Sequence, residues 1–296
     1  MSDDISEKLA AVRDKLNDLQ RDLTLDDQRR AFDKLNDDIR LAVEKLSALR
    51  QKGYQFGASW QQALEQEIPL RWRNMEREVR DLLRDERNRL ESEFRQAEWR
   101  LGNATKRNDF TGLQEAERET EDVERKLQEA AERIEAYYKP LQQQLDEIER
   151  RLRELDWTFD HRDEASFEFL DHEALILAVK AEWVQTGKGG QDPDGILFLT
   201  DQRLIFEQKE TKGKVLGLFG GRKEQNVELI IEVGKITEIT SEDKGMFGGK
   251  DMLHFKVPAG PYYDVTLELK GGADNDYWAQ LIQRAADGSV ASDRIG

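Results

Sequence analysis

The sequence predicts an α+β chain of more than one domain. N-terminal antiparallel coiled-coil or helical hairpins are followed by a seven-stranded β-rich domain that ends in a helix. Three observations carry this. Apolar residues recur at 3-4 spacing almost to residue 158, the period switches to two beyond Trp157, and glycine is distributed unevenly. Residues 1–158 hold 67 charged side chains and four glycines, whereas residues 159–296 hold 41 and 17. Two kinds of polypeptide meet near residue 158.

The helical half is justified stretch by stretch. Ile5, Leu9, Val12, Leu16, Leu19 and Leu23 form a seam, and Phe32, Leu35, Ile39, Ala42, Leu46 and Leu49 form a second. Thr24 between them is placed as an N-cap, with Asp26 and Asp27 in the next first turn, so residues 1–50 are expected to form a short helical hairpin. Gly53 and Gly57 mark a linker at 51–59. From residue 60 the seam runs Ile68, Trp72, Met75, Val79, Leu82, then Leu90, Phe94, Ala97, Leu101, with Pro69 near the helix start. A turn at 108–110, with Thr111 and Gln114 as a capping box, leads to Leu113, Ala116, Thr120, Val123, Leu127, Ala130, Ile134, Tyr137 and Leu141. Leu145 follows four residues later, a stutter that holds Pro140 and is expected to bend the helix. Equal arms either side of 108–110 predict a long antiparallel coiled-coil hairpin over 60–158. Its exposed apolar edges need a cover, either residues 3–50 or a second copy.

Residues 159–172 are expected as a linker and 288–296 as a flexible tail. Between them, strands are predicted near 174–183, 195–200, 203–208, 227–232, 235–241, 251–257 and 263–269, with a helix over 274–286 capped by Asp274. Gly195–Gln208 reads as a hairpin turning at Asp201-Gln202.

That hairpin resembles the G-x-L-x-L-T-x-x-R-L-I-F pattern of GRAM and bacterial pleckstrin-homology-like (PH-like) domains. Glu173-Ala-Leu-Ile-Leu before it, the seven strands and a final helix bearing Trp278 agree with the resemblance over residues 165–287. What it implies is a half-open seven-stranded β-barrel capped by the last helix, a domain that binds membrane lipids or proteins without catalytic machinery.

Composition bounds the function. The chain has 46 Lys and Arg against 62 Asp and Glu, a net charge of −16, which argues against nucleic acid as a partner. It has no cysteine, so disulfides and thiolate chemistry are excluded. No apolar run approaches the ~18–20 residues of a membrane span, and the acidic start is unlike a signal peptide, so a cytoplasmic protein is expected, and with the PH-like resemblance a bacterial one. His161 and His172 stand among acidic residues without metal-ligand spacing, and no nucleophile motif is recognisable, so neither metal, cofactor nor enzyme activity is expected.

Three connections are glycine-rich, and if strands alternate up and down they fall at one end: 186–190, 212–223 and 244–250. Gly217-Leu-Phe-Gly-Gly-Arg222 and Gly245-Met-Phe-Gly-Gly-Lys250 repeat an apolar tip between glycines and a cation. Three readings stay open: ordinary hairpin chemistry, a docking tip, and a phosphate nest whose P-loop spacing is one residue short. In the docking reading, Leu218, Phe219, Met246 and Phe247 are apolar wedges. Lys188, Lys209, Lys212, Lys214, Arg222, Lys223, Lys244 and Lys250 then meet acidic headgroups or side chains. The expected protein is a scaffold or adaptor that self-associates through its coiled coil and docks on anionic membrane lipid, at the inner face of the plasma membrane, or on a protein partner. In the alternative reading the β domain holds protomers of a self-assembling structural protein together.

Overall fold

The computed structural model describes residues 2–185, 192–212, 222–244, 250–260 and 262–295. They form two compact units, one of residues 1–42 and 63–148, the other of residues 43–62 and 149–296.

The first unit is helical. Its elements are α1 (Ser2–Asp22), the first two-thirds of α2 (Asp26–Gln51), α4 (Ile68–Arg107) and most of α5 (Phe110–Asp163). Lys8 pairs with Glu117 and Lys15 with Glu124, and the Phe32 ring lies 5.7 Å from that of Tyr138. The partner numbers rise together, so α1 and α2 run in the same direction along α5. They are successive pieces of one track rather than the hairpin expected over 1–50. The cause lies at the break: Thr24 Oγ1 donates to Arg21 O, closing α1 instead of capping α2, and Leu25 adopts a φ of 51°. Both apolar stripes are thereby buried within the chain, from Val12 to Leu23 and from Phe32 onward. Within the first unit, α1 and residues 26–42 of α2 lie along α4 and α5, the cover from within the chain that the sequence offered.

Two details of the seam differ from expectation. Tyr138, not Tyr137, is buried, because its ring joins Phe32, which in turn stacks on Trp72 at 5.8 Å. The two four-residue steps therefore fall at 130-134-138, and α5 continues through Pro140. At the tip, Asn108 is left-handed and Asp109 Oδ1 accepts from Thr111 N–H, so Asp109 is the cap rather than Thr111.

The second unit includes a short α3 (Ala58–Gln62), and in the first a π turn at Ala63–Glu67 leads into α4, whose first residues include Pro69. The α5 helix runs on to Asp163, five residues into the stretch expected as linker. Seven strands follow: β1 (Leu175–Trp183), β2 (Asp194–Thr200), β3 (Arg203–Lys212), β4 (Arg222–Glu232), β5 (Glu238–Lys244), β6 (Lys250–Lys256) and β7 (Asp264–Leu269). Every pairing is antiparallel, in the order β4-β3-β2-β1-β7-β6-β5. The final α6 (Asn275–Ala286) is capped by Asp274, whose carboxylate accepts from Tyr277 N–H at 2.9 Å, and it buries Trp278, Leu281 and Ile282. This is the seven-stranded, helix-ended and half-open architecture that the resemblance implies. β4 and β5 are edges that do not pair, so the sheet is open and not a closed barrel. The link between them, a 3-10 turn at Val233–Lys235, bonds at its ends to Gln202 O and Lys256 O instead.

Strands β1 and β2 are apolar on both faces, with Val179, Ile196, Leu197, Phe198 and Leu199 all buried. A period of two predicts alternation here. The reason for the difference is the segment 164–173, a strap that lies with Trp157 on the second face: Ala165, Phe167 and Phe169 pack on Leu175, Ala178, Ile196, Phe198 and Ile205. A sheet covered on both sides needs near-continuous apolar strands. The segment expected as a flexible tail forms a 3-10 turn at Ser289–Asp293, and Arg294 bridges to Phe56.

Candidate docking surface

Four further rungs carry the β3–β4 hairpin past the last β2–β3 rung, Gly195↔Gln208. They are Lys209↔Gln225, Glu210↔Glu224, Thr211↔Lys223 and Lys212↔Arg222. At ~3.4 Å per residue this ribbon extends about 14 Å beyond the sheet. Its outermost rung sets cation against cation. The β5–β6 hairpin does the same at its neck, where Lys244 faces Lys250. Like charges directly opposite are unfavourable in a sheet.

Register relates these necks to β1. Asp251 faces Leu269, and Leu269 faces Ala181, so the β5–β6 neck lies two strand spacings, about 10 Å, from the β1 backbone. The Lys244↔Lys250 neck, at the other end of β6, points along the strands the opposite way from the β3–β4 ribbon instead of clustering with it as expected. The sixth connection, expected at the far end, lies beside the end of β1. Val184 N–H donates to Thr266 O at 3.0 Å, and the Tyr262 ring meets Trp183 edge-on at 4.9 Å. Antiparallel pairing of β1 with β7 requires this, since β7 begins where β1 ends. Tyr262 and Tyr263 remain 44% and 59% exposed, an aromatic pair with polar tips that sequence reading missed.

Of the residues predicted for docking, Lys188, Lys214, Leu218, Phe219, Met246 and Phe247 lie outside the described residues, as does the loop with P-loop-like spacing. Lys212, Arg222, Lys223, Lys244 and Lys250 are placed by strand register at the two necks. Lys209 is drawn away from any partner. It is half-buried, 3.3 Å from Glu164 and 3.8 Å from Glu207.

Glu207 itself is wholly buried, and its Oε1 accepts from Ser166 N–H and Oγ at 2.6 Å and from Gln225 Nε2 at 3.1 Å. A Cβ on Gly195 would stand 2.2 Å from Glu207 O, so that strand crossing admits only glycine. Across the sheet, buried Glu182 faces buried Glu268, and Lys270 Nζ reaches both at 2.7 and 2.6 Å. Burial alone would lower the Lys270 pKa, but its bonds to Glu182 and Glu268 outweigh that and raise it. These charges build the domain. Their sequence signal was a charged residue inside an otherwise apolar strand run.

Other chemistry is sparse. His161 stacks on Trp157 at 3.9 Å, and His254 Nδ1 lies 3.0 Å from Thr266 Oγ1 beside a 200 Å³ cleft lined by Glu238, Lys256 and Asp264. Among the described residues no group of three or more His, Cys, Asp or Glu is arranged to hold a metal, and no helix is long and apolar enough to cross a membrane.

No protein-family model matches the chain, and no curated protein matches it. Solved structures similar to it include the Vps36 N-terminal PH domain, at 19% identity over 42% of this chain and 86% of that one, with a TM-score of 0.30. A pleckstrin homology domain from Shewanella amazonensis SB2B is 25% identical over 40% of this chain and 89% of its own, with a TM-score of 0.27. The Slm1 PH domain, solved in complex with inositol-4-phosphate, is 14% identical over 38% of this chain and 95% of its own, also with a TM-score of 0.27. The fold stated above rests on strand order, register and the terminal helix.

Proposed function

We propose that the protein is a non-enzymatic adaptor whose C-terminal sheet domain, of GRAM or related PH-like type, docks on an anionic membrane surface through the ends of its hairpins. The helical unit serves as spacer and scaffold. The observation that carries this reading is the cation-on-cation rung Lys212↔Arg222 that ends the β3–β4 ribbon, with a second such rung, Lys244↔Lys250, at the other end of β6; in the sequence Phe219 and Phe247 stand between the paired strands. In a chain of net charge −16 these rungs set cations opposite one another, outside the acidic rungs Glu210↔Glu224 and Asp243↔Asp251, and juxtamembrane cations contribute about 1 kcal/mol each near an anionic leaflet. Exposed Tyr262 and Tyr263 lie beside the end of β1, the end from which the β3–β4 ribbon extends, and support that end, since tyrosine suits the boundary between water and hydrocarbon. An acidic protein surface offers the same charge complement and is the competing occupant.

Sedimentation with vesicles of phosphatidylcholine containing phosphatidylserine tests the reading. Wild type should pellet with anionic vesicles and remain in solution with neutral ones. Lys212→Glu combined with Arg222→Glu should weaken binding more than tenfold, and raised salt should weaken it further. Equal pelleting of wild type and variant, or none by either, would remove the membrane role.

A further inference from the structure

Residues 2–52 contain neither glycine nor proline, so nothing covalent forces the break between α1 and α2. The break spans Leu23 to Leu25 and is held locally. Leu25 N–H donates to Asp22 O at 3.0 Å, Thr24 Oγ1 donates to Arg21 O at 3.0 Å, and Leu25 takes a φ of 51°, which residues other than glycine seldom adopt. A cleft of 480 Å³ opens beside it, with Leu19, Leu25, Leu127 and Ala131 in its walls.

The break has one geometric consequence. Leu23 ends the α1 stripe and Phe32 starts the α2 stripe, nine residues later. In an unbroken helix nine residues make about two and a half turns at ~3.6 residues per turn, so the stripes would face opposite sides. With the break, both are buried against the same two helices. Straightening the hinge would relieve Leu25 and add helical hydrogen bonds, but it would turn Val12, Leu16, Leu19 and Leu23 outward and uncover their seat.

We propose that two copies of this chain exchange α1. Each α2 stays on its own α4 and α5, while each α1 covers the seat uncovered on the other copy. The occupant follows from the seat: its apolar seam and the Glu117 and Glu124 carboxylates already fit α1 through Lys8 and Lys15. The same α1 packing forms between two copies as within one, which leaves the hinge to decide between the forms.

The absence of cysteine makes the test direct. Full-length Lys15→Cys and Glu124→Cys chains are mixed at high concentration, diluted and treated with a short bismaleimide. Exchange predicts a cross-linked dimer from the mixture and from neither variant alone. A second change at half-buried Thr24 reads the hinge, because Thr24→Ala and Thr24→Gly both lose the Oγ1 bond and differ in helix propensity. The alanine form should favour exchange about fivefold per hinge, or about 25-fold for the two hinges of a dimer. No cross-linked dimer from the mixture, dimer from either variant alone, or equal yields from the alanine and glycine forms would each overturn the proposal.

Discussion

Arg203 grips Glu173 through two bonds, Nε to Oε1 at 2.8 Å and Nη2 to Oε2 at 2.5 Å, with the carboxylate completely buried. The same guanidinium donates to Glu168 O, and Thr200 Oγ1 donates to Oε1. This pair pins the strap to β3 at one end, as Glu207 pins it at Ser166. Together they hold Phe167 and Phe169 over the second face of the sheet.

Breaking that pair should be costly. Glu173→Gln leaves a buried guanidinium without its counter-charge, and about 3–5 kcal/mol of stability should be lost in urea unfolding at pH 7. Burial alone pushes the Glu173 carboxyl up, but the bonds from Arg203, Thr200 and Leu170 N–H outweigh it and hold its pKa below 4.5. Its stabilisation is therefore fully present above about pH 4.5 and declines as pH falls through the lowered value in the folded state. Wild type should lose stability over that acidic range and Glu173→Gln should lose less. Parallel profiles would show that the pair is not the source.

The two adjacent tyrosines should behave differently. Tyr138→Ala removes a ring packed on Phe32 and should cost about 3–5 kcal/mol, whereas exposed Tyr137→Ala should stay within about 0.5 kcal/mol of wild type. Thermal unfolding separates the two outcomes, and reversal of the order would place the seam on the wrong tyrosine.

Gly195→Ala tests the close approach of β2 to β3. The new methyl would meet Glu207 O at 2.2 Å and the Phe206 ring at 2.8 Å, so a loss of about 1–3 kcal/mol or more is expected. Gly271→Ala, where nothing lies within 4 Å but φ is +79°, should cost about 1 kcal/mol through backbone strain alone. Calorimetry on both chains should rank Gly195 as the more sensitive position.

The strap's second anchor makes a separate prediction. Ser166→Ala with Gln225→Ala leaves the buried Glu207 carboxylate facing only Ser166 N–H and Lys209, which should cost about 1–3 kcal/mol. Limited proteolysis should then cut within residues 164–172 faster than in wild type. An unchanged cutting rate would mean that the aromatic contacts hold the strap unaided.

Much of this was legible in the residues. Helix positions follow from 3-4 spacing, six of the seven strands fall within a few residues of the turn signals, and Asp274 was readable as a cap. What escaped depends on tertiary partners. Tyr137 and Tyr138 fit the heptad almost equally, and only the Phe32 ring decides between them. Thr24 looks the same before a helix as after one. The strap could not be read from Phe167 and Phe169 alone, but the unbroken apolar run from Ile196 to Leu199 was its signal, since a sheet with one wet face alternates. At the candidate site, Lys209 had the composition of a docking cation, and Glu164, distant in sequence, and Glu207, two residues back on the same face of β3, claim it. Tyr262 entered the surface through β1–β7 pairing, which a list of strands does not contain.

Hydrogen–deuterium exchange of the full chain, with and without phosphatidylserine vesicles, tests the docking claim most directly. The account predicts protection confined to residues 209–225, 242–252 and the 258–264 turn, with α4 and α5 exchanging as they do free in solution. Protection along α4 and α5 with the hairpins unchanged, or bound protein with no protection at either neck, would contradict it.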